Sequence, residues 1–264
     1  MQKSELLIPG MAAAITGAGS GIGRQIADHL TKAGVDVAIN DVDETALAEA
    51  RKKLGDNPGD LVTQCGDASD PSTASELVEA AVETFGGLDI LVNNVGIAGP
   101  TKPTEKIDHQ EFIQTLEVNL GATFATTKAA IPHLKSGDDG RIVNLSSMSG
   151  KRPLRDRTPY TTSKMGTIGF TRTLAIELAD HDITVNAVCP GSVDGPRLRS
   201  VIEGQAESQG RSFDEVEQEF RDVSPMNEFV EAGDVADAVL FLCSQRAERI
   251  TGQDLNVTAG IVMY

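Results

Sequence analysis

Short apolar runs alternate with amphipathic stretches along most of the chain. The apolar runs predict strands at 11–15, 35–40, 61–65, 88–92, 141–146, 184–188 and 254–257. Between them, helical spacing of hydrophobic residues predicts helices at 22–33, 44–54, 71–85, 108–133, 158–179, 212–221 and 234–242. Strands that alternate with helices of this length form right-handed βαβ units, which build a parallel sheet covered on both faces. The predicted fold class is therefore α/β with a doubly wound sheet.

Two stretches leave the pattern open. The region 108–133 suits one long helix or two in tandem. The segment 189–231 is polar, rich in Gly, Ser, Glu and Gln, and only 212–221 within it has a helical pattern. An insertion of this length in a domain is usually a functional lid, although an ordinary surface loop is the alternative. We expect a single domain over 1–264, with the lid at about 190–231.

The first predicted strand runs into the glycine-rich stretch 16–23, and a helical pattern follows it. Glycines at this place let the backbone approach a pyrophosphate, and a helix N-terminus offers free N–H groups to that anion. Asp41 follows the second strand, where a carboxylate accepts hydrogen bonds from ribose hydroxyls and repels a 2′-phosphate. Asp41 and Asp43 are equally suited to cap the next helix. These features favour NAD over NADP, and Asp67 after the third strand is placed to meet an adenine edge.

A tyrosine and a lysine lie four residues apart in the predicted helix 158–179. Tyr160 and Lys164 therefore share one face of the helix, one turn apart. A nearby ammonium favours the phenolate and lowers a pKa that is about 10 when unperturbed. Tyr160 is thus a candidate general acid and base, and the hydroxyl of Ser147 is a candidate to hold a substrate oxygen. The spacing alone is common in surface helices, so the rest of the chain has to decide.

Composition and charge narrow the classes of partner. The 264 residues are 40% hydrophobic and carry a net charge of −16, from 39 acidic and 23 basic side chains. Such a surface repels nucleic acid and anionic membranes, and the chain has no run of eighteen apolar residues. Three widely separated cysteines, with no C-x-x-C, argue against disulfides and a metal site. The sequence predicts a cytoplasmic protein, either salt-adapted or an ordinary acidic enzyme.

Taken together, these stretches resemble the short-chain dehydrogenase/reductase family over essentially the whole chain. The matching pieces are T-G-A-G-S-G-I-G at 16–23, Asp67, N-N-V-G at 93–96, Asn119, Ser147, Tyr160-x-x-x-Lys164 and C-P-G at 189–191. Each piece is unremarkable alone, but their order and spacing match as a set. The resemblance implies a Rossmann-type sheet of about seven parallel strands, a nicotinamide dinucleotide and hydride transfer to or from a carbinol or carbonyl carbon.

The resemblance also assigns roles to individual residues. Tyr160 would be the general acid and base, and Lys164 would bind the nicotinamide ribose and lower the tyrosine pKa. Ser147, rather than Ser146, would orient the substrate oxygen, and Asn119 would hold a water that links Lys164 to solvent. The implied cofactor contacts are Gly17, Ser20, Gly21, Ile22, Gly23, Asp41, Asp67, Ala68, Asn94, Gly96, Tyr160, Lys164, Pro190, Gly191 and Val193.

Three positions bear on this resemblance. Val95 stands where the family usually has alanine, which adds two methyl groups beside the cofactor. The stretch T-A-G at 258–260 replaces the common D-G-G, which puts detailed subunit contacts in doubt. Ser20 is neutral where NADP-preferring relatives often carry a basic residue, in agreement with Asp41.

Four basic residues fall within the seven positions 151–157, in a chain of charge −16. Arg157, three residues before Tyr160, is the best placed for a substrate, and Arg197 at the start of the lid could add to it. Arginine offers a bidentate fork to a carboxylate, sulfonate or phosphate. The hypothesis is a small anionic substrate such as a sugar acid, hydroxy acid or hydroxysulfonate, oxidised with NAD. Pairing of these arginines with acids at a subunit interface or within the lid is the alternative.

Other functions fit the sequence less well. A neutral sugar or polyol dehydrogenase and a 3-oxoacyl reductase remain as alternatives, although Asp41 and the acidic surface suit the latter poorly. A non-catalytic sensor would be expected to lose Tyr160 or Lys164, and sugar-nucleotide epimerases have tighter glycine spacing. By resemblance we expect a homo-oligomer, commonly a tetramer, packed through the helices that carry Asn119 and Tyr160.

Overall fold

The computed structural model describes residues 10–264, and its centre is a parallel sheet of seven strands. The strands are β1 (Ala12–Ile15), β2 (Asp36–Asp41), β3 (Leu61–Cys65), β4 (Ile90–Asn93), β5 (Arg141–Leu145), β6 (Thr184–Pro190) and β7 (Asp254–Val257). Their order is β3-β2-β1-β4-β5-β6-β7, and every neighbouring pair is parallel. The first strand thus lies in the middle of the sheet. The chain adds β2 and β3 towards one edge, then crosses over and adds β4 to β7 towards the other edge. The predicted doubly wound Rossmann-type sheet is confirmed.

Helices cover both faces of this sheet. In the described part of the chain they are α1 (Gly21–Lys32), α2 (Glu44–Leu54), α3 (Pro71–Phe85), α4 (His109–Leu116), α5 (Ala122–Leu134), α6 (Thr158–Glu177), α7 (Pro196–Gln209), α8 (Phe213–Asp222) and α9 (Ala232–Cys243). Buried residues of α1, α2 and α9 form one core with the sheet, and those of α3, α5 and α6 form the other. Each fully buried aliphatic side chain, such as Ile26 or Leu30 on α1, contributes about 1.5–3 kcal/mol.

Side-chain caps fix where several helices begin. Asp43 accepts hydrogen bonds from the amides of Thr45 and Ala46, so it caps α2 and leaves Asp41 free of that role. Asp70 accepts from the Ser72 amide at the start of α3. Loss of such a cap typically costs about 1 kcal/mol. Both caps lie in the loops that follow the carboxyl ends of β2 and β3.

The region 108–133 forms two helices in tandem, which was one of the two predicted forms. A π-helical turn, Glu117–Gly121, joins α4 to α5. Such a turn inserts an extra residue and redirects the side chains around it. Here it places Asn119, which is fully buried, against the backbone of the loop after β4.

The predicted lid is more ordered than the sequence suggested. Residues 196–209, which we expected to be irregular, form the helix α7. Leu198, Ile202 and Ala206 recur at helical spacing and pack against Val216 of α8, so the two helices share a small core. The prediction was wrong because arginine, serine, glutamine and glycine surround this narrow stripe, and the polar composition hid it.

The helices of residues 10–264 include none with the length and apolar character needed to cross a membrane.

Candidate active site

Four polar side chains meet beyond the carboxyl ends of β4 and β5. Ser147 follows β5, Tyr160 and Lys164 lie on the first turns of α6, and Asn119 comes from the π-helical turn. Lys164 Nζ lies 6.0 Å from the centroid of the Tyr160 ring and donates a hydrogen bond to the Leu145 carbonyl at 2.8 Å. The structure thus brings together the four residues that the sequence nominated for catalysis.

The two serines after β5 have different environments. Ser146 Oγ donates to the carbonyl oxygen of Lys164 at 2.7 Å and ties α6 to the sheet. Ser147 Oγ accepts from the amide of Ser149 at 3.1 Å and is hydrogen-bonded to the phenol of Tyr160. Ser147, and not Ser146, therefore faces the tyrosine hydroxyl.

Asn119 holds the loop that follows β4. Its Oδ1 accepts from the Ile97 amide at 2.6 Å, and its Nδ2 donates to the Ile97 carbonyl and to Ser163 Oγ. Gly96 packs so closely that an added Cβ would lie 3.0 Å from Asn119 Oδ1 and 3.3 Å from Lys164 Nζ. A side chain at this point would therefore displace one of these groups by a few tenths of an ångström, whereas glycine leaves both in place.

The electrostatics favour the ionised form of the tyrosine. Burial by itself raises the pKa of the Tyr160 phenol. The positive charges of Arg197, Lys164 and Arg157 and the hydrogen bond from Ser147 more than offset burial, so the pKa is lowered from its usual 10.0. Burial also lowers the pKa of the Lys164 ammonium. The arrangement can therefore accept a proton from a substrate hydroxyl, or return one to a carbonyl, more easily than a free tyrosine.

The glycine-rich turn between β1 and α1 forms a cradle for an anion. Gly17 and Gly21 adopt positive φ values of 62° and 54°, which favour glycine. Asn94 Nδ2 donates to the carbonyls of Thr16 and Gly17, so this predicted cofactor residue holds the turn in shape. No side chain caps α1, because Ser20 at its N-cap makes no such bond. The first amides of α1 are thus left for a ligand, which fits a pyrophosphate.

Two carboxylates stand at the far end of this cradle. Asp41 Oδ2 accepts from the Gly19 amide at 2.9 Å, so its charge lies directly against the glycine turn. Asp67 Oδ1 accepts from the amide and the hydroxyl of Ser69, which orders the loop after β3 beside the buried Ala68. The residues present fit a dinucleotide with its adenosine ribose at this end.

A segment after β6 borders the other end of the cradle. Pro190 ends β6, and an added Cβ on Gly191 would lie 2.9 Å from Thr258 Cα. Val193 is held by a bridge to Val230. Between them the buried hydroxyl of Ser192 has no hydrogen-bond partner within the described residues. An unpartnered buried polar group in this position suits the carboxamide of a nicotinamide.

The basic segment 151–157 does not act as one cluster. Lys151 Nζ donates to the carbonyl of Asp254 and to Asn256 Oδ1, and it forms an ion pair with Asp254 at 3.4 Å. This lysine therefore joins the segment to β7. Arg155 is exposed and Arg152 is half-buried, whereas Arg157 is buried.

Arg157 and Arg197 both lie near Tyr160. The guanidinium carbon of Arg157 is 4.6 Å from the centroid of the Tyr160 ring, and its Nη1 donates to Thr101 Oγ1 at 3.1 Å. Arg197, on the first turn of α7, donates from Nη2 to the Gly96 carbonyl at 2.7 Å and is exposed. Within residues 10–264, neither arginine has a carboxylate at ion-pair distance.

Two threonines that support the site were not found from the sequence. Thr16 Oγ1 accepts from the amides of Asn94 and Val95 and so joins β1 to the loop after β4. Thr101 is the hydroxyl that holds Arg157. The position of Thr16 beside the first glycine could have indicated its role, whereas nothing local in the sequence marks Thr101.

Known proteins share this architecture. A family model described as "Enoyl-(Acyl carrier protein) reductase" matches residues 17–262. The chain belongs to the short-chain dehydrogenase/reductase family. The predicted resemblance is thus confirmed, and so is the prediction of an enzyme of the alcohol dehydrogenase and ketone reductase class.

Similar proteins carry the names of different enzymes. A protein named as a ketoacyl reductase of the granaticin polyketide synthase of Streptomyces violaceoruber is 36% identical, over 97% of this chain and 96% of its own. The D-beta-hydroxybutyrate dehydrogenase of Rhizobium meliloti is 33% identical, over 94% of this chain and 97% of its own length. The crystal structure of an NAD⁺-bound xylitol dehydrogenase superposes with a TM-score of 0.93 at 28% identity, over 96% of this chain and 99% of that chain. A nicotinamide cofactor is thus supported.

Proposed function

We propose that this enzyme uses NAD to oxidise a secondary alcohol that carries an anionic group, such as a sugar acid, hydroxy acid or hydroxysulfonate. The observation that carries the proposal is the pair Arg157 and Arg197 beside Tyr160. In a chain of net charge −16, two arginines without a carboxylate at ion-pair distance among the described residues create a local positive field. That field attracts an anion to the catalytic tyrosine.

Arg197 is the better direct ligand for the anionic group. It is exposed, and its fork is held by a single bond to the Gly96 carbonyl, so other donors remain for a carboxylate or sulfonate. Arg157 was nominated from the sequence for the same purpose. It is 3% exposed and adds its charge from the face of the tyrosine ring.

The chain's own residues account for the proton transfer. Ser147 holds the substrate hydroxyl, and the phenolate of Tyr160 removes its proton as the carbonyl forms. Lys164 and the arginines stabilise the phenolate before the transfer. A nicotinamide held beside these residues would supply the hydride acceptor, so that alcohol and NAD⁺ would give ketone, NADH and a proton. Asn119, through Ile97 and Ser163, keeps the loop after β4 and α6 in register.

NAD is proposed over NADP because of Asp41. Its carboxylate follows the second strand and accepts a hydrogen bond from the Gly19 amide of the glycine-rich turn. A carboxylate in this position of the fold repels a 2′-phosphate, whereas the ribose hydroxyls of NAD can donate to it.

The test is the substitution Arg197→Met, assayed with substrate pairs in which one member carries a carboxylate and the other a neutral group at the same position. D-3-hydroxybutyrate and its methyl ester form one pair, and gluconate and glucitol form another. We expect KM for the acids to rise at least tenfold and KM for the neutral partners to change little, since truncating one member of a charged hydrogen bond costs more than about 1.4 kcal/mol. Arg199→Met is the matched control, because Arg199 is an exposed arginine of the same helix.

A different result would redirect the proposal. Equal loss for acids and neutral partners would mean that Arg197 only supports α7. Preference for neutral polyols or for acyl thioesters in the wild-type enzyme would favour the polyol dehydrogenase or the 3-oxoacyl reductase instead.

A further inference from the structure

Arg157 is a buried cation that lies over the ring of Tyr160. Its guanidinium carbon is 4.6 Å from the centroid of the Tyr160 ring, and the residue is 3% exposed. A guanidinium at this distance from a ring face is attracted to the π electrons. The contact therefore restricts the tilt of the Tyr160 ring. A tilted ring would lose its contact with the guanidinium, which is buried and has few other partners.

Little else in the protein compensates this charge. Nη1 donates to Thr101 Oγ1 at 3.1 Å, while Nε is buried and has no hydrogen-bond partner within residues 10–264. No described carboxylate lies at ion-pair distance. Burial lowers the pKa of the Arg157 guanidinium, and the charge on Tyr160 acts in the opposite direction. A desolvated cation of this kind gains most when its neighbour becomes an anion.

The groups that face the phenol come from four places in the fold. Ser147 follows β5, Lys164 lies one turn further along α6, Arg197 reaches in from α7, and Arg157 precedes α6. Arg197 is exposed, and the proposed substrate anion would neutralise its charge. Arg157 and Lys164 are the two cations that remain uncompensated when substrate is bound.

We propose that Arg157 is a positioning residue for Tyr160, which fixes the ring by stacking on its face and stabilises the phenolate alongside Lys164. The inference rests on the proposed function in taking Tyr160 as the proton acceptor, but it does not depend on the charge of the substrate. Thr101 holds the guanidinium in place. The Thr101 side chain is in turn covered by α7, where an added Cβ on Gly204 would lie 3.3 Å from Thr101 Cβ.

The composition of the chain allows a direct test. It has two tyrosines and no tryptophan, so in a Tyr264→Phe background Tyr160 is the single tyrosine, and its ionisation can be followed by tyrosinate absorbance. Tyr264 is the exposed last residue and lies outside the site. In the full-length protein we expect Arg157→Met to raise the titration midpoint by about one pH unit, since an opposite charge within about 4–6 Å shifts a pKa by 1–3 units.

Three further variants distinguish the effect of the Arg157 charge on the titration midpoint from the effect of its contact with the ring and from the effect of any nearby positive charge. Arg157→Lys keeps the charge without the planar stack, so it should shift the midpoint by less than Arg157→Met. Thr101→Val frees the guanidinium and should also raise the midpoint, and it carries the test if Arg157→Met does not fold. Arg155→Met removes the same charge from an exposed position in the same segment and should leave the midpoint unchanged.

Kinetics distinguish the positioning role from substrate binding. In Arg157→Met, the pH at which NADH formation reaches half its maximum should rise by the same amount with D-3-hydroxybutyrate and with its methyl ester. An unchanged titration midpoint, or an equal shift in Arg155→Met, overturns the inference. So does a higher KM for the acid alone with an unmoved pH profile. A failure of the anionic-substrate proposal leaves the absorbance titration intact.

Discussion

At the scale of single residues, the phenol of Tyr160 is surrounded by positive charge. Arg197, Lys164 and Arg157 come from three different parts of the chain, and Ser147 adds a hydrogen bond. Together they outweigh the effect of burial, which raises the pKa of the phenol. The low pKa of Tyr160 is thus a property of the assembled site and not of the Tyr160–Lys164 pair alone.

This environment sets the pH dependence of the reaction. Oxidation requires the phenolate, whose pKa is lowered from 10.0, so activity should rise with pH and reach half its maximum below pH 10. Carbonyl reduction requires the protonated phenol and should decline over the same pH range. Initial rates in both directions across pH measure this. Tyr160→Phe should lower kcat by about 10²–10⁴-fold while NAD still binds, and a Phe variant that retains its activity would remove Tyr160 from the mechanism.

The proposed role of Asp41 in cofactor preference can be tested by removing its charge. Asp41→Asn keeps an acceptor for the Gly19 amide but removes the charge, so kcat/KM with NADP should rise by about tenfold, which corresponds to about 1.4 kcal/mol. Asp43→Asn is the matched control, because it removes the same charge from the cap of α2, where asparagine caps equally well. If both variants gain NADP activity equally, general charge and not Asp41 sets the preference.

Some of these residues follow from the sequence and others do not. The spacing of Tyr160 and Lys164 needs only a regular helix, so their proximity could be predicted. The inward turn of Arg157 depends on Asp156, which adopts a positive φ of 62° and whose carbonyl accepts from Lys102. Lys151 points instead to β7. A backbone conformation of this kind in a loop, stabilised by contacts distant in sequence, leaves no local pattern to read.

At the scale of elements, α7, which belongs to the predicted lid, contacts the segments that form the candidate site. Arg197 on its first turn bonds to Gly96, Gly204 in its middle packs on Thr101, and Ser208 near its end donates to Asp156. Three contacts along one helix therefore touch the loop after β4 and the segment before α6. A shift of α7 would move both arginines relative to Tyr160.

Gly204→Ala tests this link. The added Cβ would lie 3.3 Å from Thr101 Cβ, so α7 or Thr101 must shift by a few tenths of an ångström. Since Thr101 holds Arg157, we expect kcat/KM to fall about tenfold, or about 1.4 kcal/mol. Gly233→Ala on α9 is the matched control, since nothing lies within 4 Å of its added Cβ. The control should keep its kinetics and gain up to about 1 kcal/mol in unfolding free energy. Unchanged kinetics in Gly204→Ala would show that α7 does not position the site.

The elements themselves were largely predictable. The strands and the helices α1 to α3 follow from apolar runs, glycine turns and caps that act over a few residues. The helix α7 was missed because its apolar stripe pairs with α8, and only that tertiary contact distinguishes it from a polar loop. The lid function of this region, and the single-domain organisation, stay predictions.

At the scale of the whole molecule, the net charge of −16 means that acidic side chains repel one another and destabilise the folded state. Salt shortens the range of that repulsion, with a Debye length of about 3 Å at 1 M. Tm should therefore rise as KCl is raised, and calorimetry would measure it. Stability that falls or stays constant would count against both the salt-adapted interpretation and a significant cost of self-repulsion.

Assembly also belongs to this scale. Phe124 on α5 and Met165 and Ile176 on α6 are large apolar side chains with more than half of their surface exposed. These are two of the helices on which the sequence predicted contacts between subunits. A homotetramer stays a prediction, and light scattering of the purified enzyme would decide it.

The central claim is that Tyr160, assisted by a positive field, oxidises an anionic alcohol with NAD. The most direct measurement is the initial rate of the wild-type enzyme with NAD and with NADP, against D-3-hydroxybutyrate, gluconate and a hydroxysulfonate, each beside its neutral counterpart. The account predicts turnover with NAD, a higher kcat/KM for the charged member of a pair, and a smaller advantage at high salt. Faster turnover of the neutral members, or a preference for NADP, would contradict it.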